Sequence, residues 1–302
     1  MPALLSERAA GGVVFAASGA VLVLEILAVR MLAPYVGLTL ETYTTIIGVV
    51  LAGIALGSWL GGRLADAVAP QRLLGPLLVA GGLLAMLTVP AVRLLGGAAG
   101  DEQASGTVLV GLLSFLPPGA VLSAVTPATA KLQLADLGRT GSVVGRLSAW
   151  ATAGALTGTF ATGFVLVPNV PTRASVLAVG GALVLLGLAL AVRLGTARRA
   201  GAAGALGLAL ALGTGGVAVG SRCDAESAYF CAEVERDEAR PTGRVLVLDG
   251  LSHSYVDLAD PRHLEFAYVR WIGDLADVLR PARAPLEATF LGGGGFTLPR
   301  YL

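Results

Sequence analysis

The chain has 302 residues, 55% of them hydrophobic and only 14% charged, with a mean hydropathy of +0.77. Soluble domains carry roughly 25% charged residues, so this chain cannot clothe a globule in water and needs the bilayer as a second solvent. A net charge of +1 gives no electrostatic footprint for nucleic acid, which excludes that partner class.

Apolar stretches recur through the first 220 positions, at about 12–33, 44–62, 73–95, 107–128, 145–168, 174–193 and 201–220. Each approaches the ~20 residues that a helix needs to cross ~30 Å of hydrocarbon. The pattern predicts a membrane all-α bundle of about seven transmembrane helices over 1–220 and a separate unit over 221–302. Pro117, Pro118 and Pro127 are expected to break or kink the fourth span. Glu25 and Arg30 interrupt the first apolar run and further spans follow, which is not the pattern of a cleavable signal peptide.

Cations set the expected orientation. With the N-terminus in the cytoplasm, the inner side holds Arg8, Arg63, Arg72, Lys131, Arg139, Arg146, Arg193, Arg198 and Arg199. The outer loops hold only Arg93 and Arg173. Seven spans then place the segment after residue 220 outside the cell membrane. The only two cysteines, Cys223 and Cys231, fall in that segment. An oxidising side would let them close a small loop; the alternative is two free thiols.

Within the spans, Gly53, Gly57 and Gly61 recur at every fourth position, and Gly154 and Gly158 do so on the fifth span. Such stripes let helix backbones approach closely. Glu25 and Arg30 lie five apart on the first span, so they do not stack as an i,i+4 pair. Arg30 is expected to snorkel to the outer interface. Glu25 then needs another partner, such as Arg146 or a backbone group, and is either a proton or cation site or a structural contact. Asp66 and Arg63 are placed in the inner loop after the second span.

The outer segment reads as α/β. Strands are predicted over 228–234 and 243–249, with 252–258 as the hairpin partner of the second. Apolar residues at helical spacing from Leu264 to Leu279 predict a helix over 262–279, introduced by Asp260-Pro261. A buried strand over 286–291 is expected to run into Gly292-Gly293-Gly294-Gly295 and a helix start. Strand, glycine turn and helix start form the opening of a nucleotide-binding unit. The sequence stops at Leu302, so the prediction is a β-hairpin, a helix and the first strand of an incomplete Rossmann-like methyltransferase-type domain.

Two resemblances follow from these residues. Gly61-Gly62-Arg63-Leu64-Ala65-Asp66 resembles the Gly-x-Leu-Ala-Asp loop of major facilitator transporters. Leu248-Asp249-Gly250, Asp260-Pro261 through Tyr268, and Leu291 through Leu302 resemble the front of the spermidine synthase family, the polyamine aminopropyltransferases. With Leu24-Glu25-Ile26-Leu27, Arg30 through Gly37, Gly57 through Asp66 and Gly154 through Thr159, most of the chain resembles the membrane-fused members of that family.

The resemblance implies that an amine attacks the aminopropyl group of decarboxylated S-adenosylmethionine, a co-substrate, with no separate cofactor. By position, Asp249 lies at the edge of the site and His253 stands where a substrate-contacting Gln is frequent. Glu265 and Tyr268 match the Glu and Tyr of Asp-Glu-x-x-Tyr, and Gly292, Gly293 and Gly294 match the glycines that bind the nucleoside. The chain departs from the family at Leu264, Val269, Arg270 and Gly295, and the family's catalytic Asp segment falls downstream of Leu302. Catalysis by these residues alone is therefore not expected. Two histidines, His253 and His263, without a third clear ligand predict no metal site. The competing expectations are a transport or binding module for a polyamine or other small cation, which at this size requires a homo-oligomer, and a non-catalytic membrane anchor.

Overall fold

The computed structural model describes residues 5–97, 104–134, 137–197, 199–218, 223–279 and 287–302. The chain divides into two units, Met1–Gly220 and Ser221–Leu302.

The first unit is helical. Six segments are long and apolar enough to cross a membrane: Glu7–Val36, Leu40–Ala67, Pro70–Gly96, Ser105–Gln133, Thr140–Asn169 and Thr172–Arg193. They contain α1 (Glu7–Val36), α2 (Leu40–Ala67), α3 (Pro70–Gly96), α4 (Ala104–Ser123), α5 (Val125–Gln133), α6 (Thr140–Ala161), α7 (Val167–Asn169) and α8 (Thr172–Arg193). The expected seventh span forms a helix, α9 (Arg199–Ala218), apolar over Gly201–Gly216 among the described residues and not counted with the six.

Local chemistry sets the helix ends. Ser6 caps α1 by accepting the Ala9 N–H, and Gly37, at φ 72°, closes it while donating to Ala33 O at 2.9 Å. Thr39 caps α2 through the Thr42 N–H at 3.2 Å. Pro117 and Pro118 lie inside α4 without breaking it. The break comes at Ala124, where Pro127 has no N–H to offer the carbonyl of Ser123 four residues earlier. In the fifth span the chain opens into one π turn, Thr162–Leu166, just ahead of Pro168.

Three helix pairs make the bundle: α1 with α6, α2 with α4, and α3 with α8. Glycine lies at each crossing. A Cβ at Gly57 would run into the carbonyl of Ala120, and Gly53 and Gly61 meet Leu116 and Ala124 of the same partner segment. Gly154 and Gly158 meet the carbonyls of Phe15 and Gly19, while Gly75 and Gly82 meet those of Gly187 and Gly180. Lipid tails are as apolar as Leu, so association here rests on such close packing. The core between the pairs is Leu27, Leu32, Ile46, Leu74, Leu78 and Leu122, all fully buried.

The second unit is an antiparallel meander in the order β1-β2-β3-β4: Ala225–Glu226, Cys231–Arg236, Gly243–Leu248 and Leu251–Asp257. It carries α10 (Ala267–Leu279) and α11 (Thr297–Tyr301). The predicted helix over 262–279 begins only at Ala267. Asp257 Oδ1 accepts from the N–H groups of Ala259 and Asp260, and Asp260 Oδ1 accepts from Arg262, so side chains hold this stretch in turns. Residues 287–291 form no strand, and Leu286 lies outside the described residues. Every strand pair among the described residues is antiparallel, so a parallel Rossmann-like sheet is not observed. The edge of β4, where a further strand would pair, is occupied by the segment from Gly295 to Arg300.

Substituting Gly57→Val should lower the unfolding midpoint in detergent by the equivalent of about 1–3 kcal/mol of overpacking. Gly62→Val, with nothing within 4 Å of its added Cβ, should stay within about 0.5 kcal/mol of the parent. Equal midpoints for the two variants would remove the packing role assigned to the Gly57 face.

Candidate functional site

The expected site residues of the second unit are distributed along the β3–β4 hairpin and the segments that flank it. Asp249 and Gly250 form its two-residue turn, with φ of 49° and 82°. Two consecutive positive φ values make a type I′ turn, for which Asp-Gly is a preferred pair. Asp249 is 6% exposed. Its Oδ1 accepts the Cys231 N–H at 2.9 Å, and its own N–H donates to Cys231 O at 3.0 Å. Its Oδ2 is buried and has no hydrogen-bond partner among the described residues. Cys231 is bonded to Cys223, with Cα atoms 5.2 Å apart. Turn, disulfide and carboxylate therefore meet at one corner of the sheet.

His253 is the extra residue of a β-bulge. Leu246 pairs with Ser254 and Val247 with Ser252, which leaves His253 unmatched. Bulges re-aim side chains; the His253 ring is exposed and lies 6.1 Å from that of Phe230. The next residue, Ser254, is buried, and its Oγ accepts the Gly295 N–H at 2.7 Å. A Cβ at residue 295 would come within 2.9 Å of that oxygen, which gives a steric reason for glycine at this departure from the family pattern. Gly292 and Gly294, at φ 85° and 51°, shape the turn, and Gly293 lies against the ring of Phe296. Thr297 Oγ1 donates to Tyr255 O, and Arg300 donates to the carbonyls of Asp257 and Leu258. The glycine segment is thus fastened to β4, one residue from His253.

Glu265 precedes α10 and Tyr268 lies in its first turn. Glu265 pairs with His263 at 2.9 Å, and the His263 ring meets Tyr255 edge-on at 5.5 Å. Tyr268 is 53% exposed and stacks on Phe266. Leu264, in place of the family's Asp, is buried against the position of Gly273. The structure thus fastens the glycine segment to Ser254, the chain neighbour of His253. The contacts of Asp249, Glu265 and Tyr268 lie elsewhere, so the seven residues do not converge in one described pocket.

A polar network missed by the sequence reading holds this arrangement. Asp257 is buried, pairs with Arg240 at 2.9 Å and accepts from Ala259 and Asp260. The Arg240 hydrogen bond, followed by one from Thr242, holds its carboxyl well below the usual aspartate range. Tyr255 donates to Asp237 Oδ2 at 2.7 Å. Burial first, and then that bond, push its phenol up to about 12. The one sequence signal was the Asp-rich run from Asp257 to Asp260-Pro261, which suits side-chain-capped turns.

The membrane residues have other partners than expected. Arg146 pairs with Glu7 at 2.8 Å, not with Glu25. The parallel packing of α1 and α6 brings the start of one helix beside the start of the other, far along the helix from Glu25. Glu25 is half-buried and has no hydrogen bond or ion pair among the described residues. Arg30 Nε donates to Thr172 Oγ1 at 3.3 Å. Arg63 and Asp66 are not in a loop: α2 runs through them to Ala67, because α3 starts at Pro70 and two residues suffice for the turn. Asp66 pairs with Lys131, and Arg63 lies 4.1 Å from the centroid of the Trp59 ring. Among the described residues, no group of three or more His, Cys, Asp or Glu is placed to hold a metal ion.

The shifted groups fix a pH profile. The Asp257 contribution is complete above its ordinary value near 3.9 and drains as pH falls through the lowered native value. The Tyr255 contribution is complete below about pH 10 and is lost as pH rises toward 12. Hydrogen-exchange protection of β3 and β4 should therefore be flat from pH 5 to 9 after correction for intrinsic rates and fall on both sides. Arg240→Ala should lower the plateau and flatten the acid limb.

No protein-family model, no curated protein and no solved structure matches this chain.

Proposed function

We propose that the chain is a membrane-borne aminopropyltransferase-like protein, in which the helical bundle is the anchor and the second unit supplies the hairpin and glycine segment of a polyamine site. The observation that carries this reading is the buried, unmatched Oδ2 of Asp249, at the Leu-Asp-Gly that resembles the family's site edge. A buried acceptor without a donor is costly, and a primary ammonium group is a donor of the right charge. The glycine segment, fastened beside His253, is the counterpart of the nucleoside-binding glycines. The exposed stripe of Tyr268, Trp271, Ile272, Leu275, Val278 and Leu279 on α10 suits a helix that packs on a further layer of an α/β domain. On this reading decarboxylated S-adenosylmethionine is the co-substrate. The N-terminus is cytoplasmic, as the cation distribution favours.

Titration calorimetry of the full chain in detergent tests the reading. Putrescine or spermidine should bind, and Asp249→Asn should weaken binding at least about fivefold, the loss of roughly one charge-assisted hydrogen bond. Asn keeps an oxygen for Cys231 N–H and tolerates positive φ, so the turn survives. Absence of amine binding by the parent chain would overturn the proposal.

A second reading rests on Glu25, an intramembrane carboxylate without a partner among the described residues. Such groups mark ion or proton paths. Cation uptake by vesicles carrying the chain should then fall at least about tenfold in Glu25→Gln, and uptake indifferent to that change would dismiss transport through this residue.

A further inference from the structure

A slot of about 300 Å³ opens between α3, α8 and α9. Gly75 and Val79 of α3, Leu188 and Ala191 of α8, and Ala202 and Ala205 of α9 line it. The hydroxyl of Thr196, the polar side chain on its wall, donates to Ala191 O at 3.3 Å and is satisfied within the protein. The slot is therefore apolar, and the small side chains of α9 leave it unfilled. It lies toward the end of the bundle at which α3 begins and α8 stops.

One cation continues the same wall. Arg72 stands three and four residues before Gly75 and Pro76, so it shares their face of α3, one turn nearer the end of the helix. It is exposed, as is Arg193 at the end of α8. An apolar slot in a membrane-spanning bundle, topped by arginine at headgroup depth, matches a lipid with one tail in the slot and an anionic head above it. Basic pockets between transmembrane helices recognise such headgroups.

We propose that this slot binds one acyl chain of an anionic glycerophospholipid, with its phosphate held by Arg72. The tail fills volume that α9 leaves open, and the bound lipid cements α9 to the α3–α8 pair. The site is independent of the second unit and of any amine chemistry there.

Native mass spectrometry of the full chain from mild detergent, with equal phosphatidylglycerol and phosphatidylcholine added, tests it. Phosphatidylglycerol should be retained about fivefold over phosphatidylcholine, as one interfacial Arg warrants. Arg72→Gln should bring the two lipids to parity. Ala202→Phe, which fills the slot, should cut retention of phosphatidylglycerol about fivefold, and Ala205→Leu should do the same should the first variant misfold by circular dichroism. Equal retention of the two lipids by the parent chain, or undiminished phosphatidylglycerol on a folded slot-filling variant, would overturn the proposal.

Discussion

Backbone-to-backbone approach at glycine is the constraint on which the membrane unit depends. In α2, Gly53, Gly57 and Gly61 bring the helix against the carbonyls of α4 and the residue that joins it to α5. The same device recurs where α6 meets α1 and where α8 meets α3. Once those three pairs are fixed, the ion pairs at one end follow. Glu7 reaches Arg146, Asp66 reaches Lys131, and Gln133 donates to the carbonyl of Leu5. These polar contacts are exposed or partly so and contribute modestly; the interhelical packing sets their geometry.

The second unit has a different organising element, the free edge of β4. An unpaired strand edge invites association, and proteins cover it. Here Ser254, Tyr255, Asp257 and Leu258 bind the glycine segment and α11 in succession. Arg240 and Asp237 secure Asp257 and Tyr255 from the β2–β3 connection. The placement of the glycine segment is therefore a by-product of how this edge is closed.

Much of this was legible in the residues. Apolar runs of span length announce the bundle, the i,i+4 glycines announce its contact faces, and Val-Leu-Val-Leu before Asp-Gly announces a hairpin. Other features depend on partners distant in sequence. Nothing local says that Glu7 rather than Glu25 takes Arg146, since that follows from the parallel register of α1 and α6. The bulge at His253 is a property of strand register. The expected strand over 286–291 had the right composition, yet composition cannot supply a neighbour to pair with.

The pairing of Asp66 with Lys131 has a chemical consequence. Lys131 is the chain's single lysine, so its Nζ is the one side-chain primary amine available to acylating reagents. That amine sits where the end of α2 meets α5, bonded to the carboxylate of Asp66. The extent of its acylation is thus a chemical gauge of whether the α2–α5 corner is closed, readable at a single position without introducing any label.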